Sequence, residues 1–161
     1  MPPRQGRSGL LGLLLSLQNG ESPNTGATSL GEAFRRTAGA ARQRALVALV
    51  SDFRGPQNWR RPLLQLAGRH DVVAIEIVDP REQELPNLGE LWLVDPESGR
   101  RLRVDTRSAK LRARFAEAAA AERAQLASTF AGLGVRHVRL STGGDWLRTL
   151  VPFLRRGRRA R

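Results

Sequence analysis

Cysteine is missing from this chain altogether. Disulfides, thiolate zinc sites and cysteine nucleophiles are therefore all excluded. The absence agrees with a reducing cytoplasm, which is where we place the protein. Lysine is nearly missing too, Lys110 being the only one. No G-x-x-x-x-G-K-[ST] or G-x-G-x-x-G string occurs, so the two common phosphate-cradling motifs are out. G-x-S-x-G is also absent, which leaves a serine hydrolase without support. The only histidines, His70 and His137, have no metal-ligating neighbour three or four positions away. Both read as structural or solvent-facing. The longest early apolar run, Leu10–Leu17, is less than half of the roughly 20 residues that a bilayer crossing needs. It leads into QNGESPNTG rather than a small-residue cleavage site, which argues against a signal peptide despite Arg4 and Arg7.

What the chain does have is arginine. A net charge of +12 comes almost wholly from that residue. Such a balance suits nucleic acid, an anionic membrane or an acidic protein partner, without choosing among them. At 161 residues there is room for one domain with a real core.

The pattern of elements alternates. Gly9–Gln18 is an apolar helix expected to pack on a sheet, and Asn19–Ala27 is a loop dense in turn formers. Thr28 or Ser29 caps a helix over Leu30–Arg42, with Leu30, Ala33, Phe34, Ala38 and Ala41 on one face. The stretch Ala45–Phe53, ALVALVSDF, carries six consecutive apolar residues and reads as a central parallel strand covered on both faces. A helix beginning at Pro56-Gln57-Asn58 and ending near Gly68 leads to a second apolar strand, Val72–Val78. The resulting βαβ unit implies right-handed crossover and parallel pairing. Leu91–Val94 and Leu102–Val104 flank the turn-rich DPESGRR and form a hairpin, expected at an edge. A long Ala-rich helix over Ser108–Leu133, a strand Val135–Leu140 and a helix Trp146–Leu154 complete the domain. Arg155–Arg161, RRGRRAR, is a basic tail, so the division is 1–154 and 155–161. Trp59, Trp92 and Trp146, one per element, are read as core residues rather than stacking platforms for single strands.

Open parallel sheets bind ligands beyond the carboxyl ends of their strands, where Ser51 and Asp52 fall. Two readings of Asp52 stay open: it caps the turn into the next helix, or it belongs to a ligand set.

Three strings then point to a family. SDF at 51–53, RHDVVAIEIVDPREQELPNLG at 69–89 and LVDPESGRRLRVDT at 93–106 resemble the C-terminal half of proteins of domain-of-unknown-function family 58 (DUF 58), from about Gly26 onward. The resemblance implies a bacterial protein with a von Willebrand factor A-like, Rossmann-like fold: an α/β parallel sheet with helices on both faces and an inserted β-hairpin. It implies an adaptor that works with a MoxR-type AAA+ ATPase in assembling or maturing other proteins. In metal-binding von Willebrand A domains a divalent cation sits on a DxSxS turn, a Thr and an Asp. Gly26-Ala27-Thr28-Ser29 matches the Thr loop and Asp52 the Asp position, while no DxSxS exists in this chain. Thr28 and Asp52 are thus expected as the remnant of an incomplete metal site, holding no cofactor in this chain alone and Mg²⁺ in a longer form. The N-terminal strands of the fold are expected to be missing. The function expected is a non-enzymatic interaction module; the alternative is a basic nucleic-acid-binding protein using the RRGRRAR tail.

Overall fold

A computed structural model describes residues 6–18, 29–55, 57–94, 99 and 101–159. Their order is α1 (Gly6–Gln18), α2 (Leu30–Ala40), β1 (Leu46–Ser51), α3 (Arg60–Ala67), β2 (Asp71–Val78), a 3₁₀ turn (Pro80–Glu82), β3 (Glu90–Val94), β4 (Arg101–Asp105), α4 (Ala109–Gly132), β5 (Arg136–Ser141) and α5 (Trp146–Arg159). The protein is mixed α/β, with a three-stranded parallel sheet in the order β1-β2-β5. The hairpin β3-β4 is antiparallel and forms a sheet of its own instead of extending the parallel one.

Capping chemistry sets several of these boundaries. Ser29, not Thr28, accepts from the Glu32 N–H and starts α2. Ser108 does the same for α4 through the Leu111 N–H. Asp79 accepts from the Arg81 N–H at 2.9 Å and starts the 3₁₀ turn, with Pro80 at its first position. After α4 the chain reverses through Gly134 at φ +66°, a conformation that glycine adopts without strain.

Strand alternation sorts the two faces of the sheet. Val72 and Ala74 of β2 join Val47 and Leu49 of β1, Phe34 of α2, Trp59 and Leu63 beside or on α3, and Phe130 of α4 in one apolar core. On the other face, Arg136 of β5 lies over the Phe153 ring of α5 at 5.6 Å. Helices therefore flank both faces, but α5 covers only the β5 side.

Four expectations need correction. First, among the described residues β1 is an edge strand and β2 the central one. Leu46 and Val50 are 58% and 63% exposed, so only the core face of β1 is covered. Second, α1 does not bury its apolar surface on the sheet: Leu10, Leu11, Leu13, Leu14 and Leu15 all remain about half-exposed. Its leucines run around the helix with little asymmetry, so no single stripe is specified for burial. Third, Trp59 is fully buried, but Trp92 and Trp146 are 64% and 49% exposed. Fourth, the last helix does not stop at Leu154; α5 runs through Pro152 to Arg159. The base of the short hairpin is closed by Thr106, which is fully buried. Its hydroxyl donates to the Gly89 carbonyl at 2.7 Å and accepts from the Leu88 N–H at 3.0 Å.

Candidate functional site at the carboxyl end of the sheet

Beyond β1 and β2 the chain builds a recess of about 540 Å³. Its walls come from Asp52 to Gly55 and Gln57 after β1, the end of β2, the 3₁₀ turn and the face of α4 that carries Phe115, Glu122 and Leu126. The volume is in the range of small-molecule sites. Asp52, Glu76, Glu82 and Glu122 supply carboxylates, and Arg54 and Arg123 supply guanidiniums.

Asp52 stands at the carboxyl end of β1, where the sequence places it. Its Oδ1 accepts from the Arg54 N–H at 3.2 Å and lies 3.3 Å from the Ser51 hydroxyl. The Ser51 Oγ in turn accepts from the Phe53 N–H at 3.1 Å. Both side chains thus serve the turn itself, as short polar residues do where the backbone leaves a strand. The turn is tight enough to hold Phe53 at φ +54°, a left-handed conformation that non-glycine residues seldom adopt. That backbone throws the Phe53 ring into the core, against Trp59 at 6.0 Å and Phe130 at 5.0 Å. Above it, Arg54 pairs with Glu82 at 2.7 Å across the mouth of the recess. Both partners are about half-exposed, so the pair fixes geometry more than it stabilises.

Thr28, the other expected ligand, lies outside the described residues. Among the described residues no three His, Asp or Glu side chains come together in a way that could hold a metal. A hard cation such as Mg²⁺ wants near-octahedral oxygen donors. Asp52 and Ser51, bonded to their own turn, do not form such a set.

The site also contains groups that the motif reading passed over. Glu76 is the one acidic residue inside the β2 run VVAIEIV, and it is 5% exposed. It accepts from His137 Nε2 at 2.8 Å, joining β2 to β5 on the core face. The His137 ring is also 4.7 Å from the Phe130 ring. Arg123 reaches from α4 to the Gln83 side-chain carbonyl and closes the far wall. A carboxylate within an otherwise apolar buried strand was the available signal for Glu76, because a buried charge demands a partner. Nothing in the sequence signals the approach of Arg123, 40 residues from Gln83.

The Glu76–His137 pair makes a measurable prediction. Glu76→Leu alone leaves a largely buried imidazole N–H without its acceptor and is expected to lower stability by about 1–3 kcal/mol in denaturant unfolding. Adding His137→Leu removes both polar partners and should recover most of that loss. A double variant as unstable as the sum of the two single ones would show that the pair is not coupled.

Similarity to known proteins adds the following. A family profile described as "Protein of unknown function DUF58" matches residues 1–125, so it includes the first segment and stops within α4. An uncharacterized protein of Mycobacterium avium is 45% identical over 120 residues, covering 73% of this chain and 69% of that protein. An uncharacterized protein of Mycobacterium tuberculosis is 47% identical over 120 residues, again 73% of this chain but only 37% of the relative's length. No solved structure matches. With the profile covering most of the chain, the protein belongs to the DUF58 family.

Proposed function

We propose that this chain is a non-enzymatic interaction module of the DUF58 type, built on a von Willebrand A-like sheet and working with a MoxR-type AAA+ ATPase in the cytoplasm. The observation that carries this reading is the amount of apolar surface left open on ordered elements. Leu10, Leu11, Leu13, Leu14 and Leu15 of α1, Leu46 and Val50 of β1, and Trp92 and Leu102 of the hairpin are all exposed. Apolar side chains left exposed on helices and strands suit contact with other macromolecules. The recess at the carboxyl end supports the same reading, since Ser51, Asp52, Arg54 and Glu82 are engaged with their own turn or with one another rather than poised as a base and a nucleophile.

A second reading, nucleic-acid binding, is favoured by one observation: α5 carries exposed Arg148, Arg155 and Arg156 along an ordered helix. One experiment separates the two. Immobilised protein should retain a MoxR-type ATPase from a bacterial lysate, and Asp52→Ala should reduce the retention if the carboxyl-end recess is part of the contact. Retention that disappears after nuclease treatment supports nucleic acid instead. Failure to retain any such ATPase, with a longer relative as well as with this chain, would count against the adaptor reading.

A further inference from the structure

The fold uses only part of the apolar surface of α5. Leu150 and Phe153 are half-buried, and the Phe153 ring lies under Arg136 of β5 at 5.6 Å. Trp146, Leu147, Val151 and Leu154 are left between 41% and 52% exposed. Leu147, Val151 and Leu154 recur at i, i+4 and i+7, the spacing that sets side chains in one stripe along a helix. The sequence thus writes an apolar stripe into α5 that the sheet does not cover.

Charge of one sign borders that stripe. α5 contains Arg148, Arg155, Arg156, Arg158 and Arg159, and no aspartate or glutamate. Arg148 and Arg155 each follow a leucine of the stripe, which sets them about 100° further around the helix. Both are exposed, as is Arg156. Asp145, just before the helix, lies 3.9 Å from Arg148. Arg156 donates from Nε to the Pro152 carbonyl at 3.4 Å. Arg155 has no acidic partner among the described residues. Pro152 falls on the arginine side as well. It offers no N–H to the Arg148 carbonyl, so the carbonyl that loses its helical partner is one that water can satisfy.

We propose that α5 is an interfacial helix that lays Leu147, Val151, Leu154 and the Trp146 ring onto an anionic lipid bilayer, with Arg148, Arg155 and Arg156 at the headgroups. The pairing of an apolar stripe with a one-sign polar face selects this occupant. A nucleic-acid backbone would engage the arginines and leave the stripe in water. A bilayer surface takes both: guanidiniums bond the headgroups, apolar side chains sit just beneath them, and tryptophan suits the boundary. The helix lies on the surface, since no helix among the described residues is long and apolar enough to cross a membrane. Leu150 and Phe153 already hold α5 against the sheet, so binding requires no coupled folding. The inference is independent of the adaptor reading, and it competes with the nucleic-acid reading for the same arginines.

Vesicles are the probe, made of phosphatidylcholine alone or of phosphatidylcholine and phosphatidylserine in equal parts. In flotation, the full chain should rise with the anionic vesicles and not with the neutral ones. Leu147→Gln/Leu154→Gln and Arg155→Gln/Arg156→Gln should each weaken partition at least about tenfold, with melting temperatures close to the parent's. The charge-matched pair Arg35→Gln/Arg114→Gln lies on α2 and α4, which pack on the other face of the sheet. It should change partition by less than about twofold, because exposed charges more than a Debye length away are screened. In a Trp92→Phe background Trp59 is fully buried, so emission reports Trp146 and should move to shorter wavelength on anionic vesicles. Equal losses in the two arginine pairs would reduce the effect to net charge and overturn the proposal. Absence of binding to anionic vesicles, or binding with Trp146 unmoved, would overturn it as well. Without vesicle binding, capture of duplex DNA would return α5 to nucleic acid. Self-association abolished by Leu147→Gln/Leu154→Gln would instead make the stripe an interface between copies.

Discussion

Phe130→Ala should cause the largest loss of stability of any single substitution in the chain. Phe130 is fully buried near the end of α4 and touches three other rings: Trp59 stacked at 5.6 Å, Phe53 edge-on at 5.0 Å and His137 at 4.7 Å. It therefore ties α4 to α3, to the turn after β1 and to β5. Removing a buried phenylalanine costs about 3–5 kcal/mol through lost transfer energy and the cavity left behind. The ring pairs add roughly 0.5–1.5 kcal/mol each beyond the area buried. Against a total stability of about 5–15 kcal/mol, the variant should lose most of its cooperative transition. For a domain of this size the melting temperature should fall by roughly 10 °C or more. Phe130→Leu retains most of the volume and should be far milder. A melting temperature for Phe130→Ala within a few degrees of the parent would mean that the aromatic cluster does not hold these elements together.

Val50→Lys should have the opposite effect, improving behaviour in solution. β1 pairs with β2 on one side only, in register from Leu46↔Asp71 to Ser51↔Glu76. Its other edge has no strand beside it among the described residues. Leu46 and Val50 stand exposed on the outer face of this edge strand. An unpaired apolar edge is a template for pairing with another chain. The protein alone is therefore expected to self-associate at micromolar concentration, as a dimer through β1 or as larger species. A lysine at position 50 places a charge on the exposed face of that strand, beside any strand that pairs with it, and should weaken association at least about tenfold, or roughly 1.4 kcal/mol. Sedimentation or size-exclusion chromatography over a concentration series reads this directly. Mg²⁺ should not alter it, because Asp52 and Ser51 offer too few donors to bind a hard cation. A parent chain that stays monomeric throughout the series would show that something else covers this edge.

The same strand shows where sequence reading succeeds and where it stops. The run ALVALV fixed the position of β1, and the βαβ spacing fixed its parallel pairing with β2. Its burial was misjudged, because an apolar run says that a strand is suited to covering but not what covers it. Similarly, the leucines of α1 state that the helix is apolar without naming a neighbour. The candidate site divides in the same way. Asp52 was legible because carboxyl ends of parallel strands are predictable from order alone. The contribution of α4 was not, since whether Glu122 or Arg123 reaches the recess depends on the rotation of a long helix that has almost no apolar asymmetry. His70 looked ordinary in sequence. Its buried ring is fixed only when Ala45, 25 residues away, donates its N–H to Nδ1.

The separation of the strand partners bears on the order of assembly. Leu46 meets Asp71 across 25 residues of chain, whereas Val73 meets Arg136 across 63. Closing the longer connection costs about 0.8 kcal/mol more in chain entropy if both behave as flexible loops. The β1-α3-β2 unit is thus the natural nucleus, and β5 docks after α4 has spanned the gap. Residues 1–125, matched by the family profile, hold that nucleus, while β5 and α5 lie beyond it. In native-state hydrogen exchange, the amides of β5 should open before those of β2, so the terminal strand and helix form a unit that comes away first.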